Sequence, residues 1–230
     1  MNKEFLNSYF STTGKLIVFE GYDGVGKTSL AQALTQRLNH IGYNFQFTFE
    51  PTPHFNQFKQ QVLEAAAEDN TINIDSNIIN MDSNIVNICS FSFDRIEHIQ
   101  NTIFPLLSKG VSLICDRYDW SMLAYQDFST NESKDLLFSI RNTMADYPPV
   151  YLYVYFNASI ELIQKRLLLR DGHSPDLSHI KRVLYNYETI LEFFLKHHFS
   201  QVVVFNVFEE DSLDNQLNRL ITILSNKVVF

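Results

Sequence analysis

The chain has 230 residues, of which 45% are hydrophobic and 19% are charged, and these values exclude a largely disordered protein. Its 18 basic and 26 acidic residues give a formal net charge of −8, which disfavours a protein that coats nucleic acid. No apolar run approaches the roughly 18 residues that span a membrane, and no signal peptide is evident. Two cysteines cannot form a disulfide framework. We therefore expect a cytoplasmic protein without nucleic-acid or membrane partners.

Strands and helices are predicted to alternate along the chain, because short apolar runs alternate with segments of helical periodicity. In chain order the pattern predicts a strand at 15–20, a helix at 27–41, a strand at 43–50 and a helix at 55–67. A polar loop at 69–80 leads to a long or broken helix at 82–108, with Pro105 near its end, and then to a strand at 111–115. Last come a strand at 150–156, a helix at 159–170, a polar loop at 171–178, a helix at 180–197, a strand at 201–207 and a helix at 212–224. This alternation favours one α/β domain with a parallel sheet covered on both faces.

The most informative motif lies between the first predicted strand and helix. Gly21-Tyr-Asp-Gly-Val-Gly-Lys-Thr28 fits the pattern G-x-x-x-x-G-K-[ST] without a mismatch. Glycines allow backbone N–H groups to surround a phosphate, the lysine supplies a point charge, and the threonine hydroxyl can bind Mg²⁺. A dinucleotide-binding loop fits less well, because the G-x-G-x-x-G order is absent. We therefore predict that ATP binds Gly21, Tyr22, Asp23, Gly24, Val25, Gly26, Lys27, Thr28 and Ser29.

A carboxylate ends the third predicted strand, where it would lie beside the phosphate site. In P-loop proteins such an aspartate helps to hold Mg²⁺, so Thr28 and Asp116 are the predicted metal ligands. Arg117 follows, where a water-activating hydrolase would have a glutamate, and arginine is suited to phosphate. No Asn-Lys-x-Asp motif follows, so a GTPase is disfavoured.

Several ordered motifs resemble those of the thymidylate (dTMP) kinases, which are P-loop nucleoside monophosphate kinases. Besides the P-loop, the similar segments are Phe91-Ser-Phe-Asp-Arg95, Asp116-Arg-Tyr-Asp-Trp-Ser-Met-Leu-Ala-Tyr-Gln126 and Lys165-Arg-Leu-Leu-Leu-Arg170. The resemblance covers about residues 15 to 205. It implies the three-layer P-loop kinase fold, with a five-stranded parallel sheet, a mobile lid at about 166–179 and a homodimer.

The resemblance also implies a reaction, the direct transfer of a phosphoryl group from ATP to dTMP in the presence of Mg²⁺. The catalytic residues would be Lys27, Asp23, Arg117, Arg166 and Arg170. The residues that bind dTMP would be Glu50, Pro51, Phe91, Arg95, Arg117, Ser121, Tyr125 and Gln126. Phe91 and Arg95 lie four residues apart and so share a helical face, where the ring can stack on a pyrimidine and the guanidinium can donate to a base carbonyl or to a phosphate.

Two departures from the family pattern leave alternatives open. Phe49 stands where the family often has an arginine, and the segment 171–179 lacks the acidic-arginine pair that often follows the lid. One alternative is another deoxynucleoside monophosphate kinase or a deoxynucleoside kinase. The other is a regulatory protein that binds ATP without catalysis.

Overall fold

The computed structural model describes residues 14–68, 83–126, 148–173, 175–197 and 201–226. Its elements in chain order are β1 (Leu16–Glu20), α1 (Lys27–His40), β2 (Phe45–Phe49), α2 (Phe55–Glu68), α3 (Ser83–His98), a π-helical turn (Ile99–Ile103), α4 (Phe104–Ser108), β3 (Ser112–Asp116), α5 (Asp119–Tyr125), β4 (Leu152–Asn157), α6 (Ile160–Asp171), α7 (Leu177–His197), β5 (Gln201–Asn206) and α8 (Leu213–Asn226). The chain forms two compact units. The described residues of the first fall within 1–49, 106–124 and 149–230, and those of the second within 50–105 and 125–148.

The first unit contains a five-stranded sheet in the order β2-β3-β1-β4-β5, and every neighbouring pair is parallel. In β1 and β3 the register pairs Phe19 with Asp116, so the carboxyl ends of these two strands lie side by side. Loops that follow the strands at this edge are where ligands bind in parallel α/β sheets. The P-loop and residue 117 therefore begin at neighbouring points.

Side chains of β4 pack on both faces of the sheet, because side chains of a strand alternate between the two faces. On one face Tyr153 stacks on Trp120 of α5 at 4.6 Å between ring centroids. On the other face Phe156 packs against Phe205, whose ring lies under Arg219 of α8. Helices α5 and α7 thus cover one face, and α1 and α8 cover the other, as predicted for a parallel sheet.

The second unit contains α2 and α3, which pack on each other. The helix that begins at Ser83 is interrupted by the π-helical turn Ile99–Ile103 just before Pro105. Proline has no N–H and its ring clashes with the carbonyl four residues earlier, here Asn101, so the regular ladder cannot continue. Of the two forms that the sequence left open for 82–108, a long or a broken helix, the structure shows the broken one.

The predicted α/β fold and its five strands are confirmed, with strand and helix ends within a few residues of the expected positions. Helix α5, which has only seven residues, was not predicted from sequence. Its Trp120 is fully buried, so packing rather than periodicity determines this element. The predicted loop 69–80 lies outside the described residues. In the ranges that the structure describes, no helix is both long enough and apolar enough to cross a membrane.

Candidate functional site

The P-loop joins β1 to α1 through backbone that only glycine adopts readily. Gly24 and Gly26 have φ of 79° and 96°, in the left-handed region. A Cβ on Gly24 would also lie 3.3 Å from the side chain of Leu167, so this position has little room for a larger residue. Within the described residues, no side chain caps the first turn of α1. The N–H groups at this end of the helix suit an anion, as in other phosphate-binding loops.

Lys27 is folded back over the loop, and only 4% of the residue is exposed. Its Nζ donates to the carbonyl oxygens of Gly21 at 2.9 Å and Tyr22 at 2.7 Å. Burial, followed by the charge of Arg117, lowers the pKa of Lys27 to about 7. These contacts hold the ammonium inside the curve of the P-loop, where bound phosphates would meet it.

Thr28 and Asp116, the predicted metal ligands, are in contact. The hydroxyl of Thr28 donates to Oδ2 of Asp116, and Oδ1 of Asp116 is buried without a hydrogen-bond partner. A buried carboxylate oxygen without a partner is unfavourable, and a hard cation at this point would satisfy it. No cluster of three or more His, Cys, Asp or Glu side chains occurs in the described ranges. A threonine hydroxyl beside an unpartnered carboxylate oxygen suits Mg²⁺, which keeps several waters and takes few protein ligands.

Arg117 has the unusual φ of 71° for a residue with a side chain. Its N–H donates to the carbonyl of Phe19 at 2.9 Å, which attaches it to the end of β1. The guanidinium forms an ion pair with Asp23 through Nη2 and donates to Oγ of Ser121 at 3.1 Å through Nη1. The structure thus brings together three of the predicted site residues, which are Asp23, Arg117 and Ser121.

Glu20, for which the sequence predicted no role, is fully buried at the end of β1. Its Oε1 accepts the N–H of Tyr118 at 2.8 Å and the N–H of Ser121 at 3.2 Å. Its Oε2 accepts the hydroxyl of Ser121 at 2.5 Å and that of Tyr187 at 3.3 Å. Burial raises the pKa of Glu20 to about 7 despite these donors. The sequence signal that could have identified Glu20 is its position in an apolar strand, because a carboxylate buried there needs hydrogen-bond partners.

The two predicted lid arginines differ in their contacts, although both lie on α6. Arg166 reaches the P-loop, where its Nη1 donates to the carbonyl of Val25 at 3.1 Å. Arg170 is exposed and pairs with its neighbour Asp171 through two contacts of 2.7 Å. Arg166 therefore contacts the P-loop directly. Among the described residues, the hydrogen bonds of Arg170 go to Asp171 and not to the P-loop.

Helix α7 places a further cation near the P-loop. Nη2 of Arg182 lies 3.2 Å from Nδ1 of His179, and the His179 ring meets the edge of Tyr22 with a centroid distance of 6.3 Å. Burial, then the charge of Arg182, lowers the pKa of His179. Sequence reasoning missed Arg182 because it lies within a predicted helix, where an arginine usually faces solvent.

The second unit contains a buried ion pair formed by two of the predicted dTMP-binding residues. Nε and Nη2 of Arg95 donate to Oε2 of Glu50 at 2.8 and 2.6 Å, and Nδ1 of His98 lies 3.1 Å from Oε1. All three side chains are at most 4% exposed. Phe91 stacks on Phe55 at 4.4 Å between ring centroids. The other predicted dTMP-binding residues assigned to this unit are an exposed Pro51, a half-buried Tyr125 and a buried Gln126.

A family profile described as "Thymidylate kinase" matches residues 19–196, which is most of the chain. The chain belongs to the thymidylate kinase family. The activity of this family is phosphoryl transfer to a nucleoside monophosphate, so the protein is an enzyme of the phosphotransferase class. The predicted family resemblance is thereby confirmed.

Individual thymidylate kinases show how far the similarity extends. A thymidylate kinase of Brachyspira hyodysenteriae is 30% identical over 69% of this chain and 70% of its own. A probable thymidylate kinase of Pyrococcus abyssi is 36% identical over 49% of this chain and 52% of its own. A crystal structure of thymidylate kinase from Ehrlichia chaffeensis superposes with a TM-score of 0.63 at 21% identity, and the match covers 92% of this chain and 98% of that one. The last similarity supports the P-loop kinase fold.

One departure from the thymidylate kinase pattern can be located in the structure. Phe49 stands where the family often has an arginine. It is 44% exposed, and its ring stacks on that of Phe47 with 6.0 Å between the ring centroids. Its ring provides no charge. Among the described cations, Lys27, Arg117 and Arg166 contact P-loop residues, and Arg170 and Arg182 interact electrostatically with Asp23 and Tyr22.

Proposed function

We propose that the protein transfers the γ-phosphoryl group of ATP to dTMP and releases ADP and dTDP. The observation that carries this proposal is the arrangement in the first unit of a P-loop lysine and an arginine that follows the metal-binding aspartate. A phosphate oxygen of dTMP attacks the γ-phosphorus, and the bond to the oxygen that bridges the β- and γ-phosphates breaks. Since positioning and charge neutralisation supply most of the catalysis of such transfers, a covalent intermediate is unnecessary.

The donor phosphates would bind to the P-loop. Backbone N–H groups of Gly21–Ser29 surround them, and Lys27 exchanges its two carbonyl contacts for phosphate oxygens. Thr28 and Asp116 would hold Mg²⁺, directly or through water, and the bound ion would neutralise charge on the β- and γ-phosphates. Arg166, which already donates to the carbonyl of Val25, would follow the phosphates as they bind.

The nucleoside of ATP would occupy a cavity of about 460 Å³ at the carboxyl ends of β4 and β5. Leu162 lines this cavity, and Arg166, one turn later on α6, contacts the P-loop, so the cavity and the loop lie along one helix. Phe208 also lines it and is half exposed. The guanidinium of Arg219 lies over the Phe208 ring, 5.0 Å from its centroid, and a flat aromatic side chain that is 51% exposed is suited to stacking on a purine with its remaining surface.

We expect Phe208→Ala to raise the KM for ATP about tenfold, because stacking of a base on an aromatic ring contributes about 1–3 kcal/mol. The KM for dTMP should stay within twofold. Steady-state kinetics at saturating concentrations of the other substrate measure both constants. The matched control is Leu213→Ala, an exposed apolar side chain at the start of α8 that does not line the cavity. Equal KM values for ATP in the two variants would exclude this position for the adenine.

The acceptor phosphate would bind Arg117, with Asp23 at its other side. Their ion pair holds the guanidinium before the substrate arrives, and a phosphate dianion would accept bidentate donation from it. Family resemblance assigns stacking on the base to Phe91, a contact with the base or the phosphate to Arg95, and further contacts with dTMP to Glu50, Pro51, Ser121, Tyr125 and Gln126. Arg170 would join Arg166 in neutralising the moving group when the lid closes.

A steady-state assay tests the activity directly. Purified protein with ATP and Mg²⁺ is offered dTMP, dUMP, dCMP, dGMP and thymidine in separate reactions, and ADP release is followed. The proposal predicts that dTMP gives the highest kcat/KM. Turnover with another acceptor in preference to dTMP would indicate a different deoxynucleotide or deoxynucleoside kinase. ADP release that no acceptor stimulates would indicate an ATP-binding protein without this activity.

Replacing Arg117 by alanine is expected to lower kcat/KM for dTMP at least tenfold. Charge-assisted hydrogen bonds contribute about 1.5–3 kcal/mol each, and the substitution removes the donors that the acceptor phosphate would use. The same assay measures the loss, and Arg37→Ala on α1 controls for removal of an exposed arginine. An unchanged kcat/KM would remove Arg117 from the acceptor site.

The assembly and location of the protein are proposed from the family resemblance. We propose a homodimer in the cytoplasm that acts on small nucleotides and binds neither nucleic acid nor membrane. The net charge of −8 supports the absence of a polyanionic partner.

A further inference from the structure

We propose that Glu20 is a positioning residue that sets the orientation of Arg117 through the hydroxyl group of Ser121. The inference rests on the proposed role of Arg117 at the acceptor phosphate. Glu20 itself is fully buried, and it acts through its neighbours rather than on the substrate.

The burial of Glu20 is compatible with folding because its two oxygens have four donors. Two are the backbone N–H groups of Tyr118 and Ser121, and two are the hydroxyls of Ser121 and Tyr187, of which the second has a single proton and also lies 2.9 Å from Oγ of Ser121. The backbone contacts fix the turn that follows Arg117 relative to the end of β1. The carboxylate therefore determines where the chain on the C-terminal side of Arg117 lies.

The direction of each hydrogen bond from Arg117 to Glu20 follows from the chemistry of the groups. A guanidinium only donates, so Oγ of Ser121 accepts from Nη1 of Arg117 at 3.1 Å. An ionised carboxylate only accepts, so the Ser121 hydroxyl donates to Oε2 of Glu20 at 2.5 Å. Glu20 thus orients the hydroxyl so that a lone pair of its oxygen faces Arg117.

The same carboxyl group is attached to the P-loop. Glu20 immediately precedes Gly21, and the hydroxyl of Tyr187 lies 3.3 Å from both Oε2 of Glu20 and the carbonyl of Gly21. That carbonyl also accepts from Lys27. The position of Arg117 is therefore tied to the loop that would hold the donor phosphates, which is what an in-line transfer requires.

The experiment compares the steady-state kinetics of the unaltered protein and of the Glu20→Gln variant at pH 8. Glutamine keeps the shape and the acceptor for the two N–H groups, but its NH₂ group donates to Ser121 and so reverses that hydrogen bond. We expect kcat/KM for dTMP to fall about tenfold through a higher KM for dTMP, with the KM for ATP within twofold. General damage to the fold would change both KM values. The control is Asp119→Asn, which also removes a negative charge near Glu20. The Asp119 side chain accepts a hydrogen bond from the hydroxyl of Tyr153, and its replacement should change kcat/KM for dTMP less than threefold.

A double-mutant cycle tests the path through Ser121. Ser121→Ala should lower kcat/KM for dTMP by a similar factor. In the double variant, Glu20→Gln with Ser121→Ala, kcat/KM should lie within twofold of the value for the less active single variant. Multiplicative losses would overturn the proposal, because Ser121 would then act on dTMP independently of Glu20. If the unaltered protein phosphorylates dTMP and the Glu20→Gln variant has the same kinetic constants, the proposal is also overturned.

Two further outcomes are informative. If Glu20→Gln fails to fold, the cycle is made with Ser121→Ala and Arg117→Ala, where multiplicative losses overturn the proposal and non-additive losses support it. If the unaltered protein shows no dTMP-dependent ADP release, the proposed function is wrong, and the positioning role of Glu20 is overturned with it.

Discussion

Replacement of Lys27 by methionine is expected to lower kcat between about two hundredfold and a thousandfold, the largest loss of activity among the predicted substitutions. The lysine would neutralise charge on the transferred group within a site that excludes water, where one preorganised donor is worth about 3–4 kcal/mol. Methionine keeps most of the length and apolar volume of the lysine side chain, which matters at a residue that is only 4% exposed. The effect should therefore reflect the missing ammonium group.

Single-turnover and steady-state rates with ATP and dTMP measure this loss. The carbonyls of Gly21 and Tyr22 lose their donor in the variant, so thermal denaturation must accompany the kinetics to exclude unfolding. Lys109→Met, at an exposed position after α4, is the control for loss of a lysine and should have normal kinetics. A folded Lys27→Met protein with kcat within tenfold of normal would contradict the assignment.

The fold and the donor-phosphate loop could be predicted because their determinants are local in sequence. The strands are short apolar runs, the helices have helical periodicity, and the P-loop is eight consecutive residues. The positions of Gly24 and Gly26 in the motif indicate a backbone with positive φ, because only glycine adopts this conformation without cost. Asp116 could be predicted as a neighbour of Thr28 because parallel strands present their carboxyl ends at one edge.

The contacts of Glu20 could not be predicted, because its partners are remote in sequence. Ser121 is 101 residues away and Tyr187 is 167 residues away. Burial of a carboxylate in an apolar strand indicates that partners exist, but pattern alone does not identify them.

Arg166 and Arg170 show a second limit of sequence reasoning. They lie four residues apart on one helix and therefore have the same periodicity. The first contacts Val25 in the P-loop, whereas the second pairs with the adjacent Asp171. What separates them is where α6 approaches the loop, and this depends on tertiary packing such as that of Leu167 against Gly24.

Glu50→Gln is expected to reduce the free energy of unfolding by about 3 kcal/mol at pH 7, because removal of one partner from a buried ion pair costs about 3–5 kcal/mol. Arg95 would keep an acceptor in the glutamine oxygen, but its buried charge would lose the opposite charge. Since Glu50, Arg95 and His98 are all almost fully buried, water cannot replace the missing carboxylate.

The pH dependence of this loss has a definite sign. Burial raises the pKa of Glu50, but Arg95 and then His98 outweigh it and hold the pKa below the usual 4.5. A carboxyl group whose pKa is lower in the folded state stabilises the protein above about pH 4.5, and this contribution disappears as the pH falls through the folded-state pKa. The difference in stability between the two proteins should therefore be largest near pH 7 and should shrink below pH 4.5.

Urea denaturation between pH 3 and pH 7 measures this difference, with Glu64→Gln as the control because Glu64 is exposed on α2. Surface substitutions of this kind change stability by less than about 0.5 kcal/mol. If Glu50→Gln lowers the free energy of unfolding by less than about 1 kcal/mol, the role of the Glu50 charge is contradicted. The same holds if the loss is equal at pH 3 and pH 7, because a cost of shape or packing alone does not depend on pH. The expected result would instead identify the Glu50 carboxylate as the group that allows the fold to hold a buried, charged Arg95.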